Sequence, residues 1–274
     1  MKTRPAYVAD RFYPGDPVEL RSMVETFIAE APVATSPDMV SGMVVPHAGF
    51  IFSGATAGFG YKRIQGGAPT RIVLLGASHR YRFDGLALFD GDAFDCPLGR
   101  LTVDRVFADA LGDLFGNEGP RPHEYEHTLE TQLPFLLCAV GNRPIVPVLF
   151  GSHASEEHVT FGKRLADMLA PEDLVIASTD LSHFLSEQEA NAIDRRTIEA
   201  VVAGDANALI GGLREDTCSM CGGAAVVAAM ACASARGATN RHVLDYRTSG
   251  AVSGDYGRVV GYTTITLEYN KETS

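Results

Sequence analysis

Four short runs constrain the fold of this chain: SGMVVP (41–46), RIVLLG (71–76), PIVPVLF (144–150) and DLVIAST (173–179). Each is continuous rather than alternating, and each is rich in Val, Ile and Leu. Strands of that kind are covered on both faces, as in parallel sheets, where every crossover lays a helix on a face. The segments between and around them read as helices: about 17–29, 53–64 with Ser53 as N-cap, 104–115 capped by Asp104, 156–169, 187–204 and 222–237. The last is nearly all small and apolar, so it is expected to be buried. This alternation predicts a single α/β domain over 1–274, with a central, mostly parallel sheet and helices on both faces. Two segments, 83–104 and 243–269, break the pattern and are expected to add antiparallel pairs to one edge of the sheet.

The composition is that of a globular protein, with 46% hydrophobic and 21% charged residues. No apolar run is long enough to span a bilayer, and the N-terminus has no signal-peptide core, so a cytoplasmic location is expected. A formal charge of −11 with no basic stripe argues against nucleic acid as a partner. Five cysteines at irregular spacing suit thiols or ligands better than a disulfide framework.

Three of the eight histidines share one topological position. His47 follows the first strand, His79 the second, and His183 the fourth, each just past the carboxyl end. In open α/β sheets ligands bind along that edge. A single loop histidine is ordinarily a turn residue bonded to backbone; three at one edge favour a common site.

In EYEHTLETQLPFL (124–136), His127 and Glu130 share a face if a helix begins near Thr128, with Pro134 disturbing its interior. They are either solvated cap residues or a pair that orients a ligand and moves a proton; spacing leaves both open. Cys218 and Cys221 form a lone C-x-x-C, without the second pair of a structural zinc site. Cys221 opens the small apolar helix, where a thiolate is favoured, so it suits a metal ligand or nucleophile as well as a small buried residue. His123, His153, His158 and His242 are expected to be structural or on the surface, and Cys96, Cys138 and Cys232 small fillers.

PHAGFIFSG, LLGASH, EHTLETQLPFL, STDLSH and CSMCGG, in this order, resemble the Memo family, whose bacterial and archaeal members are usually called AmmeMemoRadiSam system protein B. The likeness runs from FYPGD to the SGDYGRVVGY tail. It implies the fold of LigB-type class III extradiol dioxygenases, with a mononuclear metal held by His47, His79 and Cys221. It also places His127, Asp180 and His183 in the pocket. A thiolate in place of a carboxylate tilts the site towards copper or zinc while still accepting iron.

The expected function is therefore that of a redox-active iron or copper oxidoreductase acting on a small-molecule substrate. His183 would serve as acid–base group, Asp180 would orient it, and His127 would bind substrate with Glu130 behind it; Phe50 and Phe52 would wall the pocket. Two alternatives accompany this reading. One is a non-catalytic ligand- or peptide-binding partner of radical-SAM and AMMECR1-type proteins. The other is a zinc hydrolase with Glu130 as general base.

Overall fold

The computed structural model describes residues 2–270. In chain order its elements are β1 (Thr3–Arg4), α1 (Pro17–Glu30), β2 (Val40–Val45), α2 (Phe50–Arg63), β3 (Ile72–Ala77), β4 (Leu86–Leu88), β5 (Ala93–Cys96), β6 (Gly99–Thr102) and α3 (Arg105–Phe115). There follow α4 (Leu133–Ala139), β7 (Ile145–Phe150), α5 (Glu156–Met168), β8 (Leu174–Ser178), β9 (His183–Leu185), α6 (Glu187–Ala203), α7 (Ala206–Arg214), α8 (Gly223–Ala235), β10 (Asn240–Thr248), α9 (Gly250–Ser253) and β11 (Val259–Glu268).

The four expected strands lie side by side as β2-β8-β3-β7, all parallel. Their side chains divide by alternation. Ile72 and Leu74 enter a core built with α1, α2 and α4, whereas Val73 and Leu75 enter a second core with α3, α5, α7 and α8. Both faces are thus apolar and helix-covered, which is why these strands read as unbroken hydrophobic runs. Each fully buried Leu or Ile contributes roughly 1.5–3 kcal/mol.

Beyond this parallel centre the sheet is mixed. β11 and β10 extend it antiparallel past β2, and β4 extends it past β7. The two excursions therefore add to opposite edges rather than to one. In the first of them, Asp90–Gly91–Asp92 interrupts the apolar pattern, and β5 and β6 leave to form a separate three-stranded sheet with β1.

Helix α2 starts at Phe50 with Gly49 as N-cap, four residues before the expected cap Ser53. Ser53 lies inside its first turn and donates to the carbonyl of Ala48 at 2.9 Å. Helix α8 is buried along nearly its whole length, lying on the parallel strands and against α5. That approach requires a glycine: a Cβ on Gly162 would stand 2.2 Å from the carbonyl oxygen of Ala228. Among the described residues no helix is long and apolar enough to cross a membrane.

Neighbouring β2 and β8 send their chains to opposite faces, β2 into α2 and β8 through β9 into α6. A reversal of that kind opens a crevice at the carboxyl edge of a parallel sheet.

Candidate metal centre

His47, two residues past β2, and His79, two past β3, flank the end of β8 from either side. Cys221 reaches the same point from the segment before α8. The Nε2 of His47 is 3.2 Å from Cys221 Sγ. One donor atom each from His47, His79 and Cys221 lies within 4.8 Å of the others. His127 completes a cluster of imidazoles: its ring stacks on His79 at 4.9 Å and stands edge-on to His47 at 5.2 Å. His47 is buried, whereas His79 lies at the exposed rim.

Glu126, one residue before His127, organises two of these rings. Its buried carboxylate accepts four hydrogen bonds, from Nδ1 of His79 and from the backbone N–H groups of His79, His127 and Thr128, and Nδ1 of His127 lies 3.1 Å from its Oε1. With Nδ1 of both rings turned to Glu126, Nε2 of both faces away from it. All of these groups meet Oε1 except the His79 N–H, which donates to Oε2. In the second grouping of possible ligands, His79–Glu126–His127, the carboxylate already faces Nδ1 of both rings and so supports them from behind. Burial alone would raise the Glu126 carboxyl, but the bonds and charges of His127 and His79 overcome it and hold the group well below the usual carboxylate range. For His79 burial opposes ionisation, yet hydrogen bonds to Cys221 and Glu126 outweigh it and push the imidazole up to about 10.

Ser178, the last residue of β8, does the same for His47. Its hydroxyl donates to the carbonyl of Thr128 at 2.6 Å and accepts from Nε2 of Gln132 at 2.9 Å. Its hydrogen is therefore committed, so the 3.1 Å contact with His47 requires His47 Nδ1 to donate. That tautomer leaves a lone pair on Nε2, facing Cys221. Burial, reinforced by His127 and His79, holds His47 well below its ordinary value and keeps it neutral.

Asp180 ties the third component in. Its Oδ1 accepts from the backbone N–H of His47 at 2.8 Å and of Ala48 at 3.3 Å. Oδ2 lies 3.8 Å from Nε2 of His47, and burial raises this carboxyl. The Asp180 N–H points at Cys221 Sγ at 3.3 Å, while the Cys221 N–H donates to the Asp180 carbonyl at 3.2 Å. Cys221 stands two residues before the helix, since Gly222 is the N-cap of α8. His183 is exposed on β9 with its ring against Phe184, so it sits at the rim rather than pointing inward. Its charge still acts on both Asp180 and His47.

Three expectations change. Residues 130–132 form a 3-10 turn rather than part of an α-helix begun at Thr128, and Pro134 sits in the first turn of α4, where a missing N–H costs nothing. Glu130 consequently turns away from His127. Its buried carboxylate binds Arg4 at 2.6 Å, the N–H groups of Tyr7 and Val8, and the hydroxyl of Tyr13 at 2.5 Å. Saturated in this way, Glu130 is a structural anchor and has no free oxygen for general-base work. Phe50 is core, packed on Tyr13 and Phe135, and it is Phe12 that meets the His127 ring, at 4.9 Å.

The remaining histidines hold structure. His123 is buried and bonded to the carbonyl of Ala87, His158 completes the capping box of α5, and His242 is exposed near Glu268. His153 lies beside Arg82 at the surface. Cys96 and Cys232 are buried fillers, and Cys138 is half-buried near Arg21. Glu126, Ser178 and Gln132 escaped the sequence reading; the one available signal was Glu126 standing next to His127.

Comparison with known proteins places this architecture. A MEMO1 family protein of Methanopyrus kandleri is 37% identical, covering 97% of this chain and 98% of the relative. One from Aquifex aeolicus is 34% identical, covering 96% and 98%. The crystal structure of an uncharacterized protein from Escherichia coli K12 overlays with a TM-score of 0.43 at 11% identity, over 72% of this chain and 86% of that one. The family model described as Memo-like protein matches residues 4–266, and with these full-length relatives it makes this chain a member of the Memo-like family.

Proposed function

We propose that the chain holds a single metal ion through His47 Nε2, His79 Nε2 and Cys221 Sγ, and uses it to oxidise a phenolic or similar small molecule. One observation carries this reading: the two imidazoles have Nδ1 engaged by Ser178 and Glu126, so their Nε2 atoms are the ones that meet the thiol. Supporting hydrogen bonds of this kind orient metal-ligating histidines. The donor set of two imidazoles and one thiolate suits copper or iron, with zinc also accepted. Bound there, iron or copper supplies one-electron chemistry towards oxygen and the organic molecule.

The protein's own groups handle binding and protons. Nε2 of His127, on the side of the ring away from the Nδ1–Glu126 contact at 3.1 Å, accepts a hydrogen bond from a substrate hydroxyl beside the ligand cluster. Asp180 keeps His47 in place through its backbone N–H and presents Oδ2 to the site. His183, at the rim, exchanges protons with solvent.

Elemental analysis of protein purified without oxygen tests the ligand set. Near-stoichiometric metal is expected in the parent protein and strong depletion in His47→Ala and Cys221→Ala; equal content in all three removes the proposal. Oxygen uptake with catechols and aminophenols tests turnover. Full metal occupancy without uptake would favour the binding role in a radical-SAM-associated system.

A further inference from the structure

We propose that the small molecule acted on at the ligand cluster carries an oxyanion, a carboxylate or a phosphate ester, and that Arg80 and Tyr7 bind this group at the rim of the site. The inference deepens the metal-centred reading and rests on it, since it names the class of molecule that reading leaves open. The segments that carry or cover the imidazoles also carry this rim. Arg80 directly follows His79, and Tyr125 stands just ahead of Glu126 and His127. Arg11 precedes Phe12, whose ring meets that of His127 at 4.9 Å.

The guanidinium of Arg80 is held by two bonds. Its Nε donates to the carbonyl of Tyr125 at 3.0 Å, and its Nη2 donates to the hydroxyl of Tyr7 at 3.0 Å. Nη1 and the second hydrogen of Nη2 are left to donate. Because the Tyr7 hydroxyl accepts from Arg80, its own hydrogen is also left over, and it goes to no group among the described residues. Tyr7 is anchored in turn: its backbone N–H donates to Glu130 at 2.8 Å, and the ring of Tyr125 packs against its own at 5.3 Å. Arg11 brings a second guanidinium to the same ring, with Cζ 5.4 Å from the centroid, against 5.3 Å for Arg80. Neither arginine makes an ion pair among the described residues, although acidic residues outnumber basic ones by 34 to 23 in this chain. The carboxylates of the adjoining segments do not fill that role. Asp10 accepts from the Gly15 N–H, Glu126 faces the imidazoles, and the exposed Glu124 pairs with neither guanidinium. What Arg80 and Tyr7 leave free are donors, beside two unpaired positive charges, and an oxyanion is the ligand that satisfies both. A guanidinium fork matches carboxylate or phosphate geometry, and one already held in place loses less freedom on binding.

Titration of the metal-free full-length protein with 4-hydroxyphenylacetate, its neutral carboxamide and phenyl phosphate tests the assignment, followed by the NMR shifts of the Tyr7, Arg80 and Tyr125 backbone N–H groups. The acetate is expected to bind roughly fivefold to tenfold tighter than the carboxamide, with an advantage that shrinks as salt is raised. Arg80→Gln should remove that advantage and leave carboxamide binding as in the parent. Tyr7→Phe, which keeps the ring and loses the hydroxyl, should reduce it about twofold to threefold. Arg143→Gln, outside the rim, should change neither ligand. Equal binding of acetate and carboxamide overturns the proposal, as does an Arg80→Gln variant with a parent-like far-ultraviolet spectrum that keeps the preference. Phenyl phosphate binding tighter than the acetate, and weakened in Arg80→Gln, upholds the oxyanion site and makes its ligand a phosphate ester; the reverse order makes it a carboxylate. Metal is absent throughout, so failure here is distinct from failure of the ligand set, which metal uptake reads.

Discussion

Nδ1 of His79 and Oε1 of Glu126 are 3.1 Å apart, and together with Cys221 the carboxylate holds the His79 imidazolium up to about 10. Metal binding to His79 must therefore displace a proton at neutral pH, and affinity should rise with pH. Isothermal titration of metal into the protein, in buffers of different ionisation enthalpy, should give about one or more protons released per ion. A heat independent of the buffer would contradict this.

Replacing Glu126 with Gln removes the charge and leaves one oxygen where several donors converge. Metal affinity is expected to fall roughly 10- to 100-fold, as is usual when a group behind a ligating histidine is lost. Competition with a chelator of known affinity measures it. The far-ultraviolet spectrum should stay that of the parent, which separates loss of orientation from loss of fold.

Glu130→Ala should act on stability and leave the ligands themselves in place. Arg4, itself buried, would lose its partner, and the expected cost is about 3–5 kcal/mol. Chemical denaturation measures it. Metal content per folded molecule should be unchanged; selective loss of metal in a fully stable variant would return Glu130 to the site.

His123 gives the acid limb of stability a predictable slope. Burial, with the Arg4 guanidinium near, overrides the bond to Ala87 and takes this imidazole from 6.5 down to about 4. Between those values the unfolded chain binds more protons than the folded one. Stability is thus intact above about 6.5 and falls as pH drops towards 4, by roughly 3 kcal/mol at most. His47, also lowered, contributes with the same sign. Denaturation midpoints across this range should show a shallower decline in His123→Gln, which keeps a donor for Ala87.

The parallel centre was legible because Val, Ile and Leu runs are what a doubly covered strand demands, and strand ends then located His47 and His79. The motif TCSMCGG and the family resemblance supplied Cys221. What the sequence concealed follows from backbone geometry. Helical spacing pairs His127 with Glu130, but the 3-10 turn at Glu130–Gln132 rotates them apart and leaves Glu126 beneath the rings. Ser178 carries no signature as the residue that fixes a tautomer, since that role depends on Thr128 and Gln132 arriving from a distant segment. Arg4 and Tyr13 could not be linked to Glu130 either: burial of the N-terminal segment against that turn is a tertiary outcome.

β8 is the middle of three strands, and its neighbours on both sides come from far earlier in the chain. His47 and His79 meet only once β8 has been inserted between β2 and β3, and Cys221 arrives later still. Such non-local pairing is slow to form. The ligand cluster therefore depends on non-local pairing, and an ion bound there would be held by the native sheet. Ligands that bind only the native state raise its stability by mass action. Metal uptake should then act as a latch on the whole molecule, slowing global opening rather than tightening one loop, and hydrogen exchange of the β2, β8 and β3 amides is where that latch would be felt.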